Sequence, residues 1–128
     1  MAISLSNYLR DFIIDSIKPE LNQVDIYSGT APANASAQTS GSLLVSIMSP
    51  IWEAAADGTA PLASTYPGTA IATGTAGYAR ARSTYELKRI QGNVGTAGTE
   101  DFVIDTAVFS SGGTVNLLSC TIVMPASA

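Results

Sequence analysis

The tetrapeptide Gly74-Thr75-Ala76-Gly77 returns unchanged as Gly95-Thr96-Ala97-Gly98, and the two copies bracket a segment that alternates like a β-hairpin. Successive side chains of a strand point to opposite faces. On the outward run Tyr78, Arg80 and Arg82 therefore share one face, and Ala79, Ala81 and Ser83 share the other. On the return, Ile90, Gly92 and Val94 oppose Arg89, Gln91 and Asn93. Glycine tolerates positive φ and close backbone approach, so both boxes are expected to be corners where a strand leaves one sheet for another. Four of the six basic residues (Arg80, Arg82, Lys88 and Arg89) fall inside this hairpin, which makes it the main cationic feature of the chain.

Before the hairpin, the spacing predicts one helix over 4–18. Leu5, Leu9, Phe12, Ile13 and Ile17 recur at three- and four-residue intervals, with Asn7, Arg10, Asp11, Asp15 and Lys18 on the other side. Ser4 or Ser6 can cap its start, and Pro19 should end it because proline cannot continue the hydrogen-bond ladder. Three to four turns are marginal alone. The apolar stripe therefore needs a surface, either the chain's own sheet or a neighbouring subunit. Leu9, Phe12 and Ile13 are its expected docking residues. Burial of Phe12 would make Phe12→Ala cost about 3–5 kcal/mol.

Residues 24–27 alternate as a short strand, 30–42 form a low-complexity loop, and 43–48 read as a strand that is apolar on both faces. Trp52 is expected as a core or interface anchor. Asp57-Gly58 is a turn pair. The stretch 58–77 reads as loop with one short strand near Ala70-Ile71-Ala72. After the hairpin come a strand at 102–105, Val108-Phe109, a turn at 110–113 and a long apolar strand at 114–124 expected to be covered on both faces. The organisation predicted is an N-terminal helical segment, 1–22, and a single β domain, 23–128. The fold class is mainly β: an antiparallel sandwich or jelly-roll-like barrel with one N-terminal amphipathic helix.

Composition narrows the function classes. The chain has 128 residues, of which 46% are hydrophobic and only 12% charged, so a free monomer would have little charged surface and a homo-oligomer, dimer or trimer, is expected. A net charge of −4 argues against free nucleic acid as partner. No run approaches the length of a membrane span and no secretory leader is recognisable, so no membrane is expected. The single cysteine, Cys120, lies among apolar neighbours and reads as a buried small hydrophobe. There is no histidine, which removes Ser-His-Asp and Cys-His catalysis and the commonest zinc ligands. The glycine boxes lack the spacing, the lysine and the following helix of a phosphate loop. Glu53 with Asp57, and Glu100 and Asp101 with Asp105, read as solvated carboxylates near turns; calcium on the second group lacks a recognised spacing. No enzyme activity, catalytic residue, metal or cofactor is expected.

The order IYSG at 26–29 with an Ala-Pro turn after it, GTAGYAR at 74–80, IQGNVGT at 90–96 and SGGTV at 111–115 resembles small proteins encoded among the virion genes of tailed bacteriophages and prophages. The resemblance covers about 24–124 and leaves the helix outside; the turn at 83–87 departs from the Asp/Gly-rich turn of that group. It implies a virion structural protein made in the host bacterial cytoplasm. The first form is a head decoration (cement) protein that binds the major capsid lattice and stabilises the assembled head. The alternative is a tail- or fibre-associated receptor- or carbohydrate-binding module. Besides Leu9, Phe12 and Ile13, the expected partner-binding residues are Tyr78, Arg80 and Arg82, read as an outward cationic stripe whose replacement would leave stability unchanged.

Overall fold

The computed structural model describes residues 3–83 and 88–124. The hairpin tip at 84–87 lies outside them. Helix α1 (Asn7–Ile17) starts where Ser6 accepts from the Leu9 amide at 3.2 Å, and it gives way to a 3-10 turn, Lys18–Glu20, that contains Pro19. Among the described residues nine strands follow: β1 (Gln23–Ser28), β2 (Leu43–Met48), β3 (Thr59–Pro61), β4 (Tyr66–Thr69), β5 (Gly74–Arg82), β6 (Arg89–Gly95), β7 (Phe102–Ile104), β8 (Val108–Phe109) and β9 (Thr114–Val123). They form one curled sheet ordered β2-β1-β5-β6-β7-β9-β3, with β4 also on β9 and β8 on β5, a half-barrel around one core. The mainly β fold with a single N-terminal helix is as expected.

The hairpin is formed by β5 and β6, with Arg80 opposite Gln91 and Ala81 opposite Ile90, so the expected faces are the observed ones. Ala79 and Ala81 point into the core beside Val24 and Ile26 of β1. Asp57 and Gly58, both at positive φ, turn the chain between the bridged residues Ala56 and Thr59, as a two-residue hairpin turn requires. The structure differs over 58–77. Strands are β3 and β4, while Ala70-Ile71-Ala72 is not a strand: Ala70 exchanges backbone bonds with the 112–113 turn, and Ile71 donates to the Leu44 carbonyl.

One pair is parallel. Strand β6 returns to β7 with only Val94↔Phe102 and Gly95↔Val103 matched, so the connection needs to travel back only a short way. Asn93 and Asp101 clamp that return: the Asp101 amide donates to Asn93 Oδ1 at 2.7 Å, and the Asn93 amide to Asp101 Oδ2 at 3.1 Å.

Strand β9 is covered on one face rather than two. Between the pairs Val103↔Ser119 and Ile104↔Leu117, Leu118 is an extra residue, a bulge that shifts the inward face from Val115 and Leu117 to Cys120 and Ile122. Leu118 and Val123 are exposed. Just after β7, which pairs with β9, Asp105 accepts from both the backbone and the side-chain amide of Asn116, and these bonds hold its carboxyl below the ordinary value of 3.8. A depressed folded-state pKa stabilises the fold above the unfolded value and loses that contribution as pH falls through the folded one. Thermal melts from pH 6 to pH 2 should therefore show a smaller acid loss for Asp105→Asn than for the parent; equal slopes would remove Asp105 from the acid response.

Candidate interaction surface

Helix α1 is amphipathic, but it docks with the side rich in polar groups. Ile14 is its one fully buried residue. Around Ile14, Asp11 accepts from the Gly58 amide at 2.7 Å, Asp15 from the Ala55 amide at 3.1 Å, and Asn7 donates to Asp57 at 3.1 Å. Arg10 donates to the Met124 carbonyl and bonds Asn7, while Lys18 donates to the Glu53 carbonyl and pairs with Asp15. The bonds from Lys18 and the Ala55 amide hold the Asp15 carboxyl below its ordinary value. A whole face of the helix is thus spent on groups of the 53–58 segment, whose own backbone pairing is limited to the Ala56–Thr59 bridge and single bonds from the Glu53 amide to Pro61 and from the Met124 amide to Gly58.

The consequence is an outward apolar face. Tyr8 is 88%, Phe12 66% and Leu9 43% exposed, with Ile3 exposed beside the helix start. Tyr8 and Phe12, four residues apart on adjacent turns, line a groove of about 270 Å³ with Asp11 and Asp15. Expected docking residues therefore separate: Ile13 is half-buried, whereas Leu9 and Phe12 face away from the body. Burial of Phe12 against the chain's own sheet is corrected, because Ile14 and the carboxylates at 11 and 15 occupy the docked side. Tyr8 was missed, although its four-residue spacing to Phe12 was there to read.

The other expected stripe is closed. Tyr78 is fully buried and Arg80 only 1% exposed, because the 30–42 loop lies over them. The Tyr78 hydroxyl donates to the Ser40 carbonyl at 2.7 Å and accepts from the Ser40 amide at 2.9 Å. Arg80 reaches the carbonyls of Ala37 and Asn34 and, through Nε, the side-chain oxygen of Gln91, whose amide nitrogen donates to the Pro32 carbonyl. The ring of Tyr78 stacks on that of Tyr27 at 5.1 Å. Arg82 pairs with the buried carboxylate of Asp25 at 2.7 Å, which also accepts from Ser46 and Gln23. The outward cationic stripe is thus corrected to an internal clamp. A loop too polar to enter a core has carbonyls to satisfy, and an arginine fork satisfies several at once.

Other polar candidates are engaged in local structure. Glu100 accepts from the amides of Ala97 and Gly98 in the second glycine box, and Asp101 and Asp105 hold neighbouring turns. Among the described residues there is no group of three or more Asp, Glu or Cys arranged to hold a metal ion. Trp52 donates its indole N–H to the Leu21 carbonyl at 3.1 Å and is buried. Burial, with Asp101 nearby, pushes the Cys120 thiol up to about 12, so it is a packing residue and not a nucleophile at neutral pH. No helix of the described residues is long and apolar enough to cross a membrane. Comparison with protein families, with curated proteins and with solved structures finds no match.

Proposed function

We propose that this chain is a non-catalytic structural component of a phage virion, a head decoration protein that attaches to the assembled capsid lattice through the outward face of α1. One observation carries the reading: a helix pinned by its polar side leaves Tyr8, Leu9 and Phe12 exposed together. Large apolar side chains clustered on a surface mark interaction sites. A pinned helix loses little further freedom on binding, so apolar burial is turned into affinity with a small ordering cost. Binding only the assembled state would stabilise that state by mass action. The resemblance to virion proteins of tailed phages supplies the class of partner. The tail-module alternative would pair free aromatics in a groove with a calcium site; Tyr8 and Phe12 line such a groove, but among the described residues no three carboxylates are arranged to hold a metal ion.

The test mixes purified protein with capsids that lack it and counts copies bound after sedimentation. Phe12→Glu should fold with a midpoint within about 0.5 kcal/mol of the parent, as expected for a surface position. It should lose capsid binding. Binding by the parent should change little with salt, since apolar burial and not rim charge carries it. Parent-like occupancy by Phe12→Glu would remove the helix face from the attachment.

A further inference from the structure

Strand β7 has three residues, while the strands on either side, β6 and β9, have seven and ten. Its pairing covers only Val94 and Gly95 on one side and the stretch from Leu117 to Cys120 on the other. Beyond its first residue, Phe102, residues 89–91 of β6 and 121–123 of β9 line one cleft, with no strand of the described residues between them. A cleft of about 420 Å³ lies there, with Phe102 and Asp101 at its closed end and Ala35 of the 30–42 loop at its rim.

The width of this cleft is set by the sheet. Where β7 is present it holds β6 and β9 two ladder spacings apart, and one spacing is roughly 4.8 Å. Each wall is also fastened on its far side: Arg89, Ile90 and Gln91 pair with β5, and Thr121, Ile122 and Val123 pair with β3. This fastening opposes collapse of the walls onto each other. Strands present backbone groups to both sides, so each wall offers unladdered peptide edges to the cleft.

We infer that this cleft accepts a short extended segment of a partner polypeptide, laid in the line of β7, parallel to β6 and antiparallel to β9, with an acidic residue followed by an apolar one. The inference is independent of the role proposed for α1. Direction follows from β7, whose line the segment continues. The inward position would rest on Ile90, Cys120 and Ile122, all of which line the cleft. The outward position lies on the face of Arg89 and Gln91. There the Arg89 guanidinium donates through Nη2 to the Ser36 carbonyl at 3.3 Å, while its Nε is buried with no hydrogen-bond partner among the described residues. A carboxylate on the incoming segment would supply the missing acceptor. At the opposite end Asp101 is already engaged with the Asn93 amide and would repel a second carboxylate. The charge order therefore places the acid at the segment's N-terminal end, beside Arg89. Main-chain bonds on both flanks would give affinity and the alternating side chains selectivity, as in strand addition to sheet edges.

The test titrates the ¹⁵N-labelled full-length chain with the capped pentapeptide Val-Glu-Val-Thr-Val, and with versions carrying lysine for glutamate or proline for the central valine. The glutamate peptide at low-millimolar concentration is expected to shift and protect from exchange the amides of 89–91 and 121–123. The lysine version should bind about tenfold more weakly, the size of one charge-assisted hydrogen bond. The proline version, which removes a central N–H, should give no protection. In Arg89→Gln the glutamate and lysine peptides should bind alike. Absence of protection by the glutamate peptide, or protection confined to other strands, overturns the cleft as a strand site. Equal binding of glutamate and lysine peptides to the parent overturns the acidic requirement and does not depend on the variant's folding.

Discussion

Gly77→Ala should destabilise the protein by about 3 kcal/mol or more, the upper end of what overpacking costs in a close-packed interior. A Cβ built on Gly77 would sit 1.9 Å from the Gly29 carbonyl oxygen and within 3 Å of two further Gly29 backbone atoms. Backbone cannot swing aside as the end of a side chain can, so β5 and the end of β1 would have to separate. That is also where the register between them shifts, from Tyr27↔Tyr78 to Ser28↔Ala76. The matching position of the second box, Gly98, has open space around it and a φ of +93°. Gly98→Ala should therefore cost only the conformational penalty, about 1–2 kcal/mol. Urea unfolding of the two variants measures the difference directly. A Gly77→Ala midpoint equal to that of Gly98→Ala would show that β5 and β1 do not approach as closely as described.

Arg82→Gln is expected to be as damaging, at about 3–5 kcal/mol, because it removes the cation from a buried carboxylate. Asp25 has a side-chain exposure of 1%, and it accepts a short bond from Arg82 Nε at 2.7 Å. Ser46 and Gln23 hydrogen-bond the carboxylate without neutralising it. The Arg82 side chain is 29% exposed, so water entering the vacated space places the loss toward the lower end of that range. An outward-facing arginine would cost nothing measurable. Replacing both Asp25 and Arg82 by apolar residues of similar shape should recover much of the loss, since a buried ion pair can be exchanged for packing at little net cost. The measurement is a double-mutant cycle in chemical denaturation; a single variant within about 0.5 kcal/mol of the parent would mean that Asp25 is not buried with its charge.

Much of the local structure could be read directly. Residues 43–48 are a strand with the bounds that composition implied, the helix begins at a serine cap and ends two residues before Pro19, and the two faces of the β5–β6 hairpin follow from alternation alone. Strand β4 was not legible. Tyr66-Pro67-Gly68-Thr69 contains the two residues that most discourage strands, and it pairs because β9 supplies a ladder and Gly68 lets it press against Val45 and Ile47 of β2. The inward-face switch in β9 was equally hidden, since a one-residue bulge leaves no mark at the apolar pair Leu117-Leu118.

The candidate site divides on the same line. That Tyr78, Arg80 and Arg82 share a face is a property of β5 by itself, because side-chain alternation is a matter of backbone geometry within one strand. Whether that face meets solvent depends on where the 30–42 loop lies, and its path is decided by carbonyls seeking the Arg80 fork and the Tyr78 hydroxyl from across the molecule. Likewise the heptad-like spacing of α1 determined that it is amphipathic, but the unpaired amides of Ala55 and Gly58 drew its carboxylates inward and turned Phe12 out. The two GTAG boxes make the point most simply. Identical in sequence, one lies within a strand against Gly29 and the other forms the turn capped by Glu100. Sequence alone determined the periods and faces of each segment, because these arise from covalent geometry within it. Only the tertiary structure decided which faces are buried, because burial depends on the segment that comes to cover them.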